Sequence, residues 1–222
     1  MNVTVFGCGY VGLVQAILLA DVGHNVVCLD IDEENIYKLS SGILPNLESC
    51  LETIFIRNFE RGLLKFTTEA PYAVRHGDVQ FIAVGSSSGD NGHADLDAVK
   101  VAVQTIGQYR KRDVIIVSEP TLPVDILDNI FHWVKLTQET LGNEFLFHVV
   151  PNFIIFEKVR LFESSEMVGI GSGNKCFKVL MYELYESFNR RHEHIMLIET
   201  LCDEFAKKRL NFNLECNLND FN

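Results

Sequence analysis

Gly7-Cys8-Gly9-Tyr10-Val11-Gly12 is a G-x-G-x-x-G stretch, and the residues on either side of it decide the fold. Before it, Val3-Thr4-Val5-Phe6 is a β-branched and aromatic run that reads as a strand. After it, Leu13, Ala16, Ile17 and Ala20 recur at helical spacing as far as Gly23, a good helix stop. Residues 25–30 then read as a second strand, ending in Asp30. Strand, glycine turn, helix and strand in that order make a βαβ unit, and within it each glycine has a mechanical task. Gly7 permits a tight turn, Gly9 lets the backbone approach a pyrophosphate, Gly12 lets helix and strand pack closely, and the helix N-terminus offers N–H groups to the anion. Asp30 stands where a carboxylate accepts hydrogen bonds from an adenosine ribose. A 2′-phosphate there meets like charge, and no Arg follows in Ile31-Asp32-Glu33-Glu34, so the sequence favours NAD over NADP. The bland alternative is a glycine turn without a ligand; the strand, helix and Asp30 together argue against it.

The alternation continues along the chain. Residues 33–39 and 47–57 read as helices, and 79–84 as a strand apolar enough to be covered on both faces. A helix over 96–109 leads to a strand over 114–117, and a helix over 124–141 leads to a strand over 145–150. Residues 167–170 read as one last strand. Residues 176–188 and 199–216 read as helices without strands of equal strength between them. The expectation is therefore an α/β fold, a doubly wound parallel sheet of Rossmann-like form over residues 1–175, followed by a short helical segment over 176–222. No internal repeat is visible, and the Asn-rich end, 217–222, is expected to fray.

Composition agrees with a large core: 222 residues are 47% hydrophobic and 22% charged, with a mean hydropathy of +0.11. The 19 Lys and Arg against 30 Asp and Glu give a net charge of −11, which excludes nucleic acid as the main partner, because a phosphate backbone needs clustered cations. The six cysteines form no C-x-x-C pair in a chain too rich in core to need stapling, which implies a reducing, cytoplasmic compartment. The N-terminus lacks a basic region, and no apolar run reaches the roughly 18 to 20 residues that span a bilayer, so neither a signal peptide nor a membrane anchor is expected.

With Gly7-Cys8-Gly9-Tyr10-Val11-Gly12-Leu13, then Ala20, Gly23-His24, Val26 and Asp30-Ile31-Asp32, the chain resembles the UDP-glucose 6-dehydrogenase and GDP-mannose dehydrogenase family. Gly42-Ile43-Leu44-Pro45 resembles that family's G-x-x-P, Phe66-Thr67-Thr68 its R-F-T-T, and Asp78-Val79-Gln80-Phe81-Ile82-Ala83-Val84 its D-V-x-F-I-A-V strand. Gly92-His93-Ala94-Asp95-Leu96 resembles G-x-A-D-L, and Thr121-Leu122-Pro123-Val124 resembles T-V-P-V. The likeness is specific over residues 1 to 150 and thins thereafter. It implies an N-terminal NAD-binding domain in which Gly9, Tyr10, Val11, Asp30, Asn35 (usually Lys in the family), Ser86 in the loop after Val84, and Thr121 contact the cofactor.

Departures from the pattern bear on the chemistry. The loop after Val84 is usually V-P-T-P and here reads Val84-Gly85-Ser86-Ser87, keeping a hydroxyl but losing both prolines. Leu47-Glu48-Ser49-Cys50-Leu51 stands for Y-E-P-G-L, and Ser118-Glu119-Pro120-Thr121 lacks the usual Lys and Ser before the Thr. Val150-Pro151-Asn152-Phe153-Ile154-Ile155-Phe156-Glu157 aligns with N-P-E-F-L-R-E-G, so the family's catalytic Glu falls on Asn152, an amide that cannot act as a base at neutral pH. Glu157 lies nearby in sequence but is not expected to take over the role.

The resemblance further implies two hydride transfers that take an alcohol to a carboxylate, with the aldehyde trapped on a Cys in a G-x-C-F-P-K-D stretch downstream of a long dimerisation helix. That stretch is expected to be missing from this chain. Lys207 and Asn211 have the K-x-x-x-N spacing of the family's catalytic Lys and its Asn partner, which places both on one helical face. Gly173-Asn174-Lys175-Cys176-Phe177-Lys178 imitates the nucleophile stretch but precedes Lys207, and an ordinary thiol is expected at Cys176. His192-Glu193-His194 has a metal-ligand spacing without a third ligand, so no metal is expected. Lys207, Lys208 and Arg209, with Arg190-Arg191 upstream, are read as a solvated helix face. Two functions follow as expectations. One is an NAD-binding protein of the nucleotide-sugar dehydrogenase class, inactive alone without the Cys domain, with UDP-glucose as the model sugar. The other is an NAD-binding pseudoenzyme that regulates or scaffolds a full-length dehydrogenase, pairing through residues 199–216 or forming a homodimer.

Overall fold

The computed structural model describes residues 1–45, 47, 49–84, 96–118, 126–153, 168–171, 184 and 195–198. The elements run β1 (Asn2–Phe6), α1 (Tyr10–Asp21), β2 (Asn25–Leu29), α2 (Glu33–Ser40), α3 (Ser49–Glu60), β3 (Leu64–Thr67) and α4 (Ala70–His76). They continue with β4 (Val79–Ile82), α5 (Asp97–Tyr109), β5 (Val114–Ser118), α6 (Ile126–Leu141), β6 (Phe147–Phe153), β7 (Val168–Gly171) and β8 (Ile195–Ile198). The strands form one sheet in the order β3-β2-β1-β4-β5-β6-β7-β8. The first six are parallel, which is the doubly wound order that reverses between β1 and β4. β7 runs antiparallel to β6, and β8 runs parallel to β7.

Side-chain alternation explains why the central strands read as unbroken apolar runs. Val3, Val5, Val26, Cys28, Val79 and Phe81 point to one face, where α1 and the Leu51 and Phe55 side chains of α3 cover them. Phe6, Val27, Leu29, Ile82, Val114 and Ile116 point to the other, under α4, α5 and α6. With both faces covered, polar positions need internal partners. Thr4 and Gln80, paired across β1 and β4, meet this by donating to the Ala73 carbonyl and to the Val74 and Gly77 carbonyls.

Arg110, just after α5, is 1% exposed and ties three connections together. Its Nε donates to the Arg112 carbonyl at 2.7 Å, Nη1 to the Val74 carbonyl at 3.1 Å, and Nη2 to the Asp113 carbonyl at 2.6 Å and to the Asp78 carboxylate at 3.2 Å. The planar guanidinium thus satisfies the C-terminal end of α4 and the turn into β5 at once.

The predicted strands and helices up to residue 150 are found with small shifts at their ends, and the last predicted strand appears as β7. Three elements correct the prediction. β3 is a four-residue strand that pairs only with β2 at the sheet edge and carries Lys65, so it offers too little apolar signal. α4 has seven residues and a Pro in its first turn, too few for a helical period to show. β8 lies between the two C-terminal helices read from the sequence, where no strand was expected. Leu184 is buried in the core beside α1, and its carbonyl accepts a 2.6 Å hydrogen bond from His24 Nε2.

Candidate functional site

The glycine turn between β1 and α1 sits where the sheet order reverses, the crevice at which doubly wound folds take their ligands. Its three glycines do different work. Gly7 has φ +100°, and its N–H donates to the Leu29 carbonyl at 2.8 Å; a Cβ there would lie 2.6 Å from the Ala83 carbonyl oxygen. A Cβ on Gly12 would lie 2.1 Å from the Gly7 carbonyl oxygen and 3.1 Å from the Ala83 Cβ. Those two glycines let strand, turn and helix close on one another. Gly9 differs, because a Cβ there would meet nothing within 4 Å. Among the described residues, none uses that space.

Gly9 is also the N-cap of α1, and neither a side-chain cap nor an acidic residue occupies the first turn. The first helical bond runs from the Leu13 N–H to the Gly9 carbonyl, so the N–H groups of Tyr10, Val11 and Gly12 have no partner within the helix. Open space and uncapped donors at the positive end of a helix dipole suit a phosphate.

Across the turn, Asp30 follows the end of β2. One carboxylate oxygen accepts the Cys8 N–H at 2.6 Å and the other accepts the Asp32 N–H at 3.1 Å. These bonds fix the carboxylate beside the turn and leave its remaining lone pairs for hydroxyl donors. Asn35, in the first turn of α2, donates from its N–H to Asp32 Oδ1 at 3.0 Å and from Nδ2 to the Cys8 carbonyl at 3.4 Å. Ile31 beside them is 94% exposed.

The structure therefore brings together Gly7, Gly9, Tyr10, Val11, Gly12, Asp30 and Asn35 around one opening. Ser86, Thr121, Lys207 and Asn211 lie outside the described residues, as do Glu157, Cys176 and the His192-Glu193-His194 stretch. Asn152 lies in β6, where its backbone pairs with Ile170 of β7. Ala83, the wall against which Gly7 and Gly12 close, was not singled out by sequence; the signal for it was its place one residue beyond β4. The bond from Cys8 to Asp30 was also missed, because a backbone donor leaves no mark in residue type. Among the described residues no group of His, Cys, Asp and Glu could hold a metal ion, and no helix is long and apolar enough to cross a membrane.

The model of the NAD binding domain of the UDP-glucose/GDP-mannose dehydrogenase family matches residues 1–189. The chain belongs to this family. It is 40% identical over 130 residues to a UDP-glucose 6-dehydrogenase of Bacillus subtilis (strain 168), covering 59% of this chain and 30% of that protein. It is 31% identical over 210 residues to the UDP-glucose 6-dehydrogenase of Rickettsia bellii, covering 93% of this chain and 47% of that one. Among solved structures, a GDP-mannose dehydrogenase from Pseudomonas aeruginosa, crystallised as a ternary complex, superposes with a TM-score of 0.80 at 26% identity. That match covers 98% of this chain and 51% of the other. The UDP-glucose dehydrogenase of Pyrobaculum islandicum gives a TM-score of 0.81 at 26% identity over 95% and 49% of the two chains. The chain thus spans about half, or less, of the length of these dehydrogenases and carries their NAD binding domain.

The residues present fit that cofactor. The empty space over Gly9 faces uncapped helical donors, and a fixed carboxylate stands a turn away with no cation beside it in Ile31-Asp32-Glu33-Glu34 to meet a 2′-phosphate.

Proposed function

We propose that this chain holds NAD at the 7–12 turn as the cofactor half of a nucleotide-sugar dehydrogenase, with a UDP-sugar such as UDP-glucose as the substrate class. The observation that carries this is the opening over Gly9 at an uncapped helix N-terminus, with the Asp30 carboxylate pinned by two backbone donors beside it. The N–H groups of Tyr10 and Val11 bind the pyrophosphate, and Gly9 keeps the approach clear. Asp30 takes the ribose hydroxyls and repels a 2′-phosphate. Ser86 and Thr121 supply further hydroxyl contacts to the cofactor. When bound, the cofactor supplies a hydride acceptor for oxidation of the sugar C6 alcohol. Lys207 and Asn211, whose K-x-x-x-N spacing matches the family's catalytic Lys and its Asn partner, orient the oxygen at the reacting carbon by charge and hydrogen bonding, and residues 176–222 begin a dimerisation segment.

A second reading is favoured by one residue. Asn152 stands where the family's catalytic Glu is expected, and an amide takes no proton at neutral pH. In that reading the chain binds NAD and acts as a scaffold or regulator for a full-length dehydrogenase. Calorimetric titration with NAD, NADP and UDP-glucose in parallel tests the site. Saturable NAD binding with NADP much weaker supports it; no NAD heat, together with a melting temperature unmoved by NAD, sinks it. Lys207→Ala, assayed together with a partner that supplies the Cys domain, separates the two readings. An enzyme loses turnover by orders of magnitude with NAD affinity intact, whereas a scaffold shows no turnover to lose.

A further inference from the structure

Four hydrogen bonds close into a ring just beyond the ends of β1 and β2. The Cys8 N–H donates to one oxygen of the Asp30 carboxylate at 2.6 Å, and the other oxygen accepts the Asp32 N–H at 3.1 Å. Asp32 is the N-cap of α2, where its Oδ1 accepts the Asn35 N–H at 3.0 Å. Asn35 Nδ2 then returns to the Cys8 carbonyl at 3.4 Å. In a capping box the side chain of the third helical residue reaches back to the N-cap N–H. Here Asp30 already holds that N–H, and the Asn35 amide reaches across to the glycine turn instead.

The link from Asn35 grips the middle of that turn. The Cys8 N–H belongs to the Gly7–Cys8 peptide plane and the Cys8 carbonyl to the Cys8–Gly9 plane, so Asp30 holds one plane and Asn35 the other. The peptide is trans, so its carbonyl and N–H point in opposite directions. Holding the Cys8 carbonyl toward α2 therefore turns the Gly9 N–H away from α2, and no described residue accepts it. Gly7 and Gly9 on either side have no side chain with which to fix this plane. Gly9 is also the N-cap of α1, so the plane that Asn35 holds is the one that leads into the helix.

We propose that Asn35 is a positioning residue for the dinucleotide. By closing the ring it sets the direction of the Cys8–Gly9 peptide and ties the ribose carboxylate to the phosphate-facing helix start, without touching the cofactor. The effect on affinity rests on the placement of NAD at the 7–12 turn; the hold on the turn does not. Asn35→Ala cuts this link alone. The bond to Asp32 uses the Asn35 backbone N–H, so the cap of α2 survives the substitution, and alanine is the better helix former in the first turn. A neutral hydrogen bond is worth roughly three- to tenfold in an equilibrium, and that is the share of NAD affinity that falls to Asn35.

The test compares the full 222-residue chain with its Asn35→Ala variant by calorimetric titration with NAD, thermal unfolding without ligand, and amide hydrogen exchange of the ligand-free protein over residues 6–12 and over β5. The expected result is NAD affinity weakened roughly three- to tenfold and exchange over residues 6–12 faster by a similar factor. Exchange in β5 should be unchanged and the melting temperature should stay within about 3 °C. A loss of affinity with unchanged exchange over residues 6–12 means that Asn35 touches the cofactor directly, and overturns the positioning role. Unchanged affinity overturns it as well. Faster exchange throughout, β5 included, with a large fall in melting temperature makes Asn35 a residue of general stability and also overturns the proposal. A wild type that binds no NAD fails the proposed cofactor site, while exchange over residues 6–12 still decides whether Asn35 holds the turn.

Discussion

Replacing Gly9 by alanine should separate binding from folding. The φ of Gly9 is −66°, a value alanine adopts freely, and its Cβ would meet nothing within 4 Å. Alanine is a poorer N-cap than glycine by several tenths of a kcal/mol, but it lowers the entropy of the unfolded chain by about as much, so stability should stay within about 1 kcal/mol. In a chain of this size that is a melting-temperature change of less than about 4 °C. NAD binding should fail, because the methyl group fills the approach to the Tyr10 and Val11 N–H groups. Losing two hydrogen bonds to a charged group, at about 1.5–3 kcal/mol each, weakens affinity by at least about 100-fold. At an NAD concentration that adds about 2.7 kcal/mol to the wild type, the variant should gain no more than about 0.4 kcal/mol. Gly12→Ala is the contrast. Its Cβ would sit 2.1 Å from the Gly7 carbonyl oxygen, an overlap that only a shift of α1 relieves. Overpacking of this kind costs about 3 kcal/mol, or roughly 6–12 °C, with no ligand present. Differential scanning fluorimetry of the three proteins with and without NAD measures both effects. A Gly9→Ala variant with the full NAD-dependent shift would refute the placement of the cofactor over Gly9.

Three further outcomes follow from contacts described above. Arg110→Ala leaves the Val74, Arg112 and Asp113 carbonyls and Asp78 without their shared donor and should cost about 3–5 kcal/mol in urea unfolding; a loss below about 1 kcal/mol would show that water replaces the guanidinium. Burial lowers the pKa of His24, opposed by its bond to the Leu184 carbonyl and assisted by the Met1 ammonium beside Nδ1, so the unfolded chain binds the proton more readily. Its contribution is whole above about pH 6.5 and is lost as the pH falls toward the lowered folded value, so the difference in stability between wild type and His24→Gln should shrink from pH 7 to pH 5. Asp30→Ser combined with Ile31→Arg replaces the ribose acceptor and adds a cation at a 94% exposed position; the ratio of NAD to NADP affinity should fall by about tenfold or more, and an unchanged ratio would remove Asp30 as the discriminator.

The first βαβ unit was legible because its signals agree: a β-branched run, glycines at fixed offsets and a helix stop at Gly23. The central strands were legible because coverage on both faces leaves them almost wholly apolar. β3 and α4 were not, since Leu64–Thr67 has one covered edge and Ala70–His76 makes barely two turns. The site divides in the same way. Gly7, Gly9, Gly12 and Asp30 are visible as residue types at characteristic spacings, whereas the roles of Ala83 and of the Cys8 backbone depend on what the sheet brings beside the turn.

The wall at Ala83 also sets an order of assembly. A nascent chain that has formed β1, α1 and β2 already carries every glycine of the turn, but the surface those glycines close against arrives only with β4, after β3 and α4 have been made. Until β4 docks along β1, the turn is held to β2 only by the bonds from Gly7 to Leu29 and from Cys8 to Asp30, and the Ala83 side of its packing is missing. Affinity for the dinucleotide is therefore a gauge of whether the two halves of the sheet have zipped together. Substitutions at the far ends of β1 and β4, such as Val3 or Val79, should register in that gauge although they lie at the opposite end of the strands from the ligand.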